Sequence, residues 1–115
     1  MHYQQSIIEI LNAHACYHRS ITPNVTSQIV IDRERNHFML LSVGWHQSRF
    51  IYTIAFHFAL IEGKIWIQQN NTDVLVADEL LERGVPATDI ILGFIAPNLR
   101  IYSGFGTLIE PSKAA

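Results

Sequence analysis

The residues able to do chemistry are few and scattered. His14 and His18 stand four apart with Cys16 between them, so on a helix both rings would point to one side and could share a metal ion. Such a site needs three or four ligands held together, and no second ligand pair with fixed spacing follows. The plainer reading is a helix face packed partly against a sheet. His37, His46 and His57 fall on strands and turns, where a Ser–His or His–Asp arrangement can be drawn but spacing does not place it. There is no nucleophile elbow, no phosphate-cradling glycine-rich loop and no paired-carboxylate signature. The residues therefore point away from an enzyme, and no catalytic residue, metal or cofactor is assigned.

The least ordinary stretch is polar rather than reactive. From Gly63 to Asp73 the chain reads as a turn, a strand and a loop that leads into a helix. Ile65 and Ile67 alternate with Lys64, Trp66 and Gln68, the period of a two-faced strand. Gln68-Gln69-Asn70-Asn71-Thr72 then interrupts the apolar pattern, which returns with helical spacing at Val74. Those side chains can order the loop, cap the helix or read a partner's backbone, and loop order is the plainer role. Trp45 and Trp66 offer amphipathic surface suited to packing or to an interface.

Composition narrows the function class. The 115 residues suit one domain, 1–115, with a loose tail from Glu110. Hydrophobic residues make up 49% and charged ones 16%, against a usual charged share near ~25%. Less charged surface is available to keep copies apart, so a shared apolar face is expected. The net charge of −2 disfavours a grip on a phosphate backbone, and Arg33 and Arg35 alternate with Asp32 and Glu34. Cys16 has no internal partner, and the opening Met1-His2-Tyr3-Gln4-Gln5 is not a targeting segment, so a reducing, cytoplasmic setting is expected. No apolar run approaches the ~18 residues of a membrane span.

The elements that must position these residues follow from periodicity. Ile7, Ile10, Leu11 and His14 mark a first helix ending near Arg19. It starts either near His2 or after a Ser6 cap with Glu9 completing a capping box. Strands are expected over Val25–Ile31, His37–Trp45, Arg49–Leu60 and from Lys64, joined by short turns that make an antiparallel meander. In the third strand Phe50, Tyr52, Ile54, Phe56 and Phe58 form the heavier alternating set and are expected to face the core. Thr72 or Asp73 is expected to cap a second helix, which Gly84 and Pro86 end. Beyond it lie a short apolar segment over Thr88–Phe94, opening as a helical turn and ending as a strand or a buried loop, and a helical turn over Pro97–Tyr102. The fold class is α+β: a helix packed on about four meandering strands, then a second helix and a short C-terminal α/β segment.

The stretch Gly63-Lys64-Ile65-Trp66-Ile67-Gln68-Gln69-Asn70, followed by Thr72, resembles the hallmark segment of the XisI-like proteins. These are the element-excision controlling factors named for the fdxN DNA element. Other pieces agree in order: Asp32, Arg35 and His37 with Leu40-Leu41, Val43, Gly44 and Trp45; Gly84-Val85-Pro86 with Asp89-Ile90 and Leu92-Gly93-Phe94; then Pro97, Arg100 and Tyr102. The likeness runs from the first helix to about Gly106. It departs after Gly93-Phe94, where Ile95-Ala96 stand in place of a His-Pro pair ahead of Pro97.

The resemblance implies a small, non-recombinase factor required for site-specific excision of a DNA element during cell differentiation. Its relatives are commonly found beside XisH-like proteins, which look related to endonuclease folds. It carries over no catalytic residues. Joined to the charge argument, it leads us to expect a non-catalytic companion of an XisH-type partner, with Trp66, Gln68, Gln69, Asn70, Thr72, Arg100 and Tyr102 as candidate partner-binding residues. The alternatives are an accessory DNA-binding factor working with the recombinase machinery through Arg33, Arg35, Arg49 and Arg100 from two subunits, or a small enzyme. A homodimer is expected in each case, from the sheet edges and the low charge fraction.

Overall fold

The stripe Ile7, Ile10 and Leu11 is the seam along which the molecule closes. In the computed structural model, which describes residues 3–21 and 24–106, these side chains are fully buried in one cluster with Phe38, Phe56 and Phe58. The helix that carries them, α1, spans Tyr3–Ile21. It takes the earlier of the two expected starts, so Ser6 lies inside it, and Gln5 Nε2 donates to the Glu9 carboxylate at 3.0 Å. Its end lies two residues beyond the expected Arg19.

Four strands follow as a meander: β1 (Val25–Asp32), β2 (His37–His46), β3 (Arg49–Ile61) and β4 (Lys64–Asn70), each antiparallel to the next. Turn chemistry fixes the first connection. Asp32 Oδ1 accepts the amides of Glu34 at 3.1 Å and Arg35 at 2.9 Å, which closes the turn and holds the Asp32 carboxyl below the usual carboxylate range. A crossover through α2 (Val76–Glu82) and the 3-10 turn Ala87–Asp89 then brings β5 (Ile90–Leu92) alongside β4 in parallel. The sheet is therefore mixed, five strands in sequence order, and the 3-10 helix Pro97–Ser103 closes the described chain.

The expected cap of α2 does not form. The helix starts at Val76, later than a cap at Thr72 or Asp73 would place it, and Leu75 at its N-cap makes no side-chain bond. Asn70 has drawn those groups into the loop. Its Nδ2 donates to Val74 O at 2.7 Å, its Oδ1 accepts from the Thr72 hydroxyl at 2.7 Å, and Thr72 Oγ1 accepts the Val74 amide at 3.0 Å. The other end is as expected. The Gly84 amide bonds Leu81 O and the Val85 amide bonds Leu80 O, the paired pattern of a Schellman cap, with Val85 buried beside it.

The face of β3 needs correction. Only Phe56 and Phe58 of its heavy set reach the core, both at 0% exposure, whereas Phe50 and Tyr52 are 53% and 64% exposed. The β2–β3 register shifts between Leu40 and Leu41, so Phe56 opposes Leu40 while Ile54 opposes Leu41, leaving Ala55 as an extra residue. Cross-strand partners share a face and consecutive residues do not. Ile54, Tyr52 (opposite Val43) and Phe50 (opposite Trp45) therefore lie on the face away from the helices. One inserted residue reverses the outcome of the alternation. Among the described residues, no helix is long and apolar enough to cross a membrane.

Candidate functional site

Two regions present organised surface: a corner built from β4, β5 and the Pro97–Ser103 helix, and the projecting end of the β2–β3 hairpin. At the corner, β5 lies beside β4 with Ile65 opposite Ile90 and Ile67 opposite Leu92, and the Gly93 amide adds a further bond to Ile67 O at 2.8 Å. Gln68 is the bulged residue of β4, since Ile67 opposes Phe58 while Gln69 opposes His57. The Gln68 amide oxygen occupies the space that a side chain at position 93 would need, so a Cβ there would have to displace the Gln68 side chain.

Arg100 organises this corner. Its Nε donates to Ile95 O at 3.0 Å and to Leu92 O at 3.3 Å, its Nη2 donates to Gly93 O at 3.4 Å, and its guanidinium lies 5.0 Å from the centre of the Trp66 ring. A planar cation shared by carbonyls and an aromatic face fits arginine and not lysine. Where the sequence has Ile95 instead of histidine, the backbone carbonyl of that residue serves the clasp, a task independent of its side chain. Held this way, the turn after β5 displays Phe94 to solvent and the helix displays Leu99, Ile101 and Tyr102, Tyr102 at 83% exposure.

The candidate partner-binding residues thus divide. Trp66, Gln68, Arg100 and Tyr102 gather at the corner, while Asn70 and Thr72 turn inward to bond one another and Val74. Gln69 is exposed opposite His57. The candidate basic residues do not gather. Arg33 and Arg35 occupy the β1–β2 turn, where Arg33 Nη1 donates to Gln4 Oε1 at 3.2 Å and Arg35 pairs with Asp32 at 3.2 Å. Arg49 stands at the β2–β3 turn, the length of β2 away, about 30 Å at strand rise.

The histidines and the polar clefts have local partners. His14 Nε2 donates to the Glu79 carboxylate at 2.9 Å and its ring meets Phe56 edge-on at 5.0 Å, tying α1 to α2. The side chain of His18 lies outside the described residues, as do Thr22, Pro23 and the tail from Thr107. His37 Nδ1 lies 3.1 Å from His57 Nε2, and burial together with that neighbour lowers the His57 pKa. A cleft of about 570 Å³ is lined by Tyr3, Gln4, Asn36, Leu60, Glu62, Gly63 and Asp89. Its polar groups satisfy each other: the Tyr3 hydroxyl donates to Asp89, which raises the Tyr3 pKa to about 12, and Gln4 Nε2 donates to Asn36 Oδ1 at 2.7 Å. Among the described residues no group of three or more His, Cys, Asp or Glu could hold a metal ion.

Sequence reasoning pointed to the segment from Gly93 to Tyr102 without singling out Phe94, Leu99 or Ile101; on the hairpin it offered Trp45 for packing or an interface but assigned Phe50 and Tyr52 to the core, whereas all three are exposed. A signal for the trio was available. Between His37 and Glu62 the only formal charge is Arg49, a longer apolar run than one face of a small sheet can bury.

In class, this is a small α+β domain, a five-stranded mixed sheet backed by helices on one face and carrying a clasped corner. The XisI protein family model matches residues 1–107, and the chain belongs to the XisI family. It is similar to a XisI-like protein from Anabaena variabilis, at 41% identity over 91% of this chain and 95% of that one, with a TM-score of 0.84. It is also similar to the fdxN element excision controlling factor XisI from Anabaena variabilis, at 33% identity over 91% and 95% of the two chains, with a TM-score of 0.78. No curated protein matches it.

Proposed function

We propose that this protein is a non-catalytic accessory factor supporting site-specific excision of a DNA element, and that it acts by holding an XisH-type, endonuclease-like protein. Family membership and a relative described as an excision controlling factor support the excision role. The observation that carries the mode of action is the corner. Phe94, Leu99 and Tyr102 are exposed on a segment that Arg100 fixes in place, so an apolar surface is presented without the cost of ordering it on binding. Trp66 and Gln68 sit beneath that surface, and Arg100 acts here as the clasp that shapes it. The dispersal of Arg33, Arg35 and Arg49 favours a protein partner over a phosphate backbone.

The test is co-purification of the tagged protein with the XisH-like protein of its own genome, with and without nuclease. The expected result is nuclease-resistant capture that falls at least tenfold for Phe94→Ala combined with Tyr102→Ala, with the circular dichroism spectrum unchanged. Capture that disappears with nuclease and weakens steeply with salt would instead favour direct DNA binding.

A further inference from the structure

The hairpin end raises a question that the corner does not answer. β3 runs from Arg49, but β4 accompanies it only from Phe56, with one further bond from the Asn71 amide to Ala55 O. From Arg49 to Ile54 no described strand lies beside the outer edge of β3, while β1 covers the opposite side of the hairpin as far as Gly44. A free edge is ordinarily blunted by lysine, proline or an inward-pointing charge. This one reads Arg-Phe-Ile-Tyr-Thr-Ile, with its only charge at the turn. Beside it the rings of Trp45, Phe50 and Tyr52 lie in succession, Trp45 tilted against Phe50 at 5.2 Å between centres and Phe50 stacked on Tyr52 at 6.5 Å, with Trp45 57% exposed.

We infer that this edge is the seam of a symmetric dimer, in which β3 of one copy pairs antiparallel with β3 of a second copy about a two-fold axis near Ile51 and Tyr52. An antiparallel edge is complementary to itself under a two-fold, so the second copy needs no feature that this chain lacks. The aromatic trio of each copy then extends one continuous apolar face. More than half of each ring is exposed. At ~150–250 Å² per aromatic, the rings alone supply on the order of 600 Å² from two copies. The paired backbones and half-buried neighbours Val43, Ile51 and Ile54 carry the total toward the ~1,200–2,000 Å² of a stable interface. Charge is compatible, because the axis places the two Arg49 side chains at opposite ends of the seam, about 15 Å apart and beyond the ~8 Å screening length at physiological salt.

Sedimentation equilibrium of the full chain decides the matter. The expected mass is twice 13.1 kDa for the wild type and one copy for Phe50→Lys combined with Tyr52→Lys, with the dissociation constant of the dimer raised at least a hundredfold. In a Cys16→Ser background, single cysteines placed in turn at positions 50 to 53 should cross-link between copies, most rapidly at the position nearest the axis; a cysteine at Tyr102 should not. A wild type that stays monomeric at 100 micromolar (roughly the top of the range in which a specific dimer should form) overturns the proposal. So does an undiminished dimer in the lysine variant, a dimer lost on removing residues 107–115, or cross-linking at Tyr102 alone. The seam is independent of the corner, so capture of an XisH-type protein can fail without affecting this result.

Discussion

The two halves of β3 carry the same alternation of rings and meet opposite fates. Phe56 and Phe58 lie at 0% exposure beneath α1, while Phe50 and Tyr52, six residues earlier in the pattern, stand in solvent. Hydrophobicity does not separate them. The separation comes from one bulged residue, Ala55, and from helices that cover only one side of the sheet. A strand's alternation thus states which residues travel together only until the register shifts. Burial is decided by what lies across from each face.

The largest test of that contrast is to truncate both halves alike. Phe56→Ala empties a packed core position and is expected to cost about 3–5 kcal/mol in denaturant unfolding. Phe50→Ala, measured at a concentration where copies are dissociated, is expected to stay within about 0.5 kcal/mol of the wild type. Comparable losses at the two positions would mean that the hairpin is packed within a single chain. The next effect concerns the corner. Arg100→Ala leaves three carbonyls without their cation and is expected to cost about 1–3 kcal/mol. Arg100→Lys should recover little of it, because an ammonium cannot span the fork. Smaller again is Gly93→Ala, which must push aside the Gln68 side chain; about 1 kcal/mol is expected. Should Gly93→Ala lower XisH capture while stability holds, Gln68 belongs to the contact and not only to its support.

Much of the fold was legible because local rules and tertiary packing agreed. The Ile7–Leu11 stripe, the short turns of the meander and the Gly84 stop each follow from spacing or backbone chemistry that no distant contact overrode. The apolar segment after Pro86 became a parallel fifth strand, a pairing set by the crossover and invisible in three residues of sequence. The cap of α2 was misplaced because Asn70 competes for Thr72, and side-chain competition within a loop leaves no periodic trace. At the corner, the polar run drew attention to Gln68 and Asn70, which sit next to one another and do different things: one overlies Gly93, the other closes its own loop. Arg100 could be singled out by resemblance, but its use as a clasp depends on carbonyls brought together by the turn after β5.

The finest probe of the comparison lies just past the bulge, where His57 faces away from the helices and meets His37 at 3.1 Å. Burial, and then the neighbouring ring, depress its pKa below the ordinary ~6.5. The folded state therefore binds this proton less readily than the unfolded chain. Its contribution to stability is present above about pH 6.5 and is lost as the pH falls through the depressed folded value. Unfolding midpoints should accordingly drop on acidification below pH 6.5, by a small amount, and His57→Gln should flatten that part of the profile. Because His57 sits on the open face at the base of the hairpin, its protonation loads a charge onto that surface. If the acid-induced loss in the wild type is larger at protein concentrations where copies associate than where they are dissociated, His57 reports on the covered face as well as on the fold. A slope that is the same at both concentrations would confine its effect to the single chain and place the covered surface farther out, toward Phe50 and Tyr52.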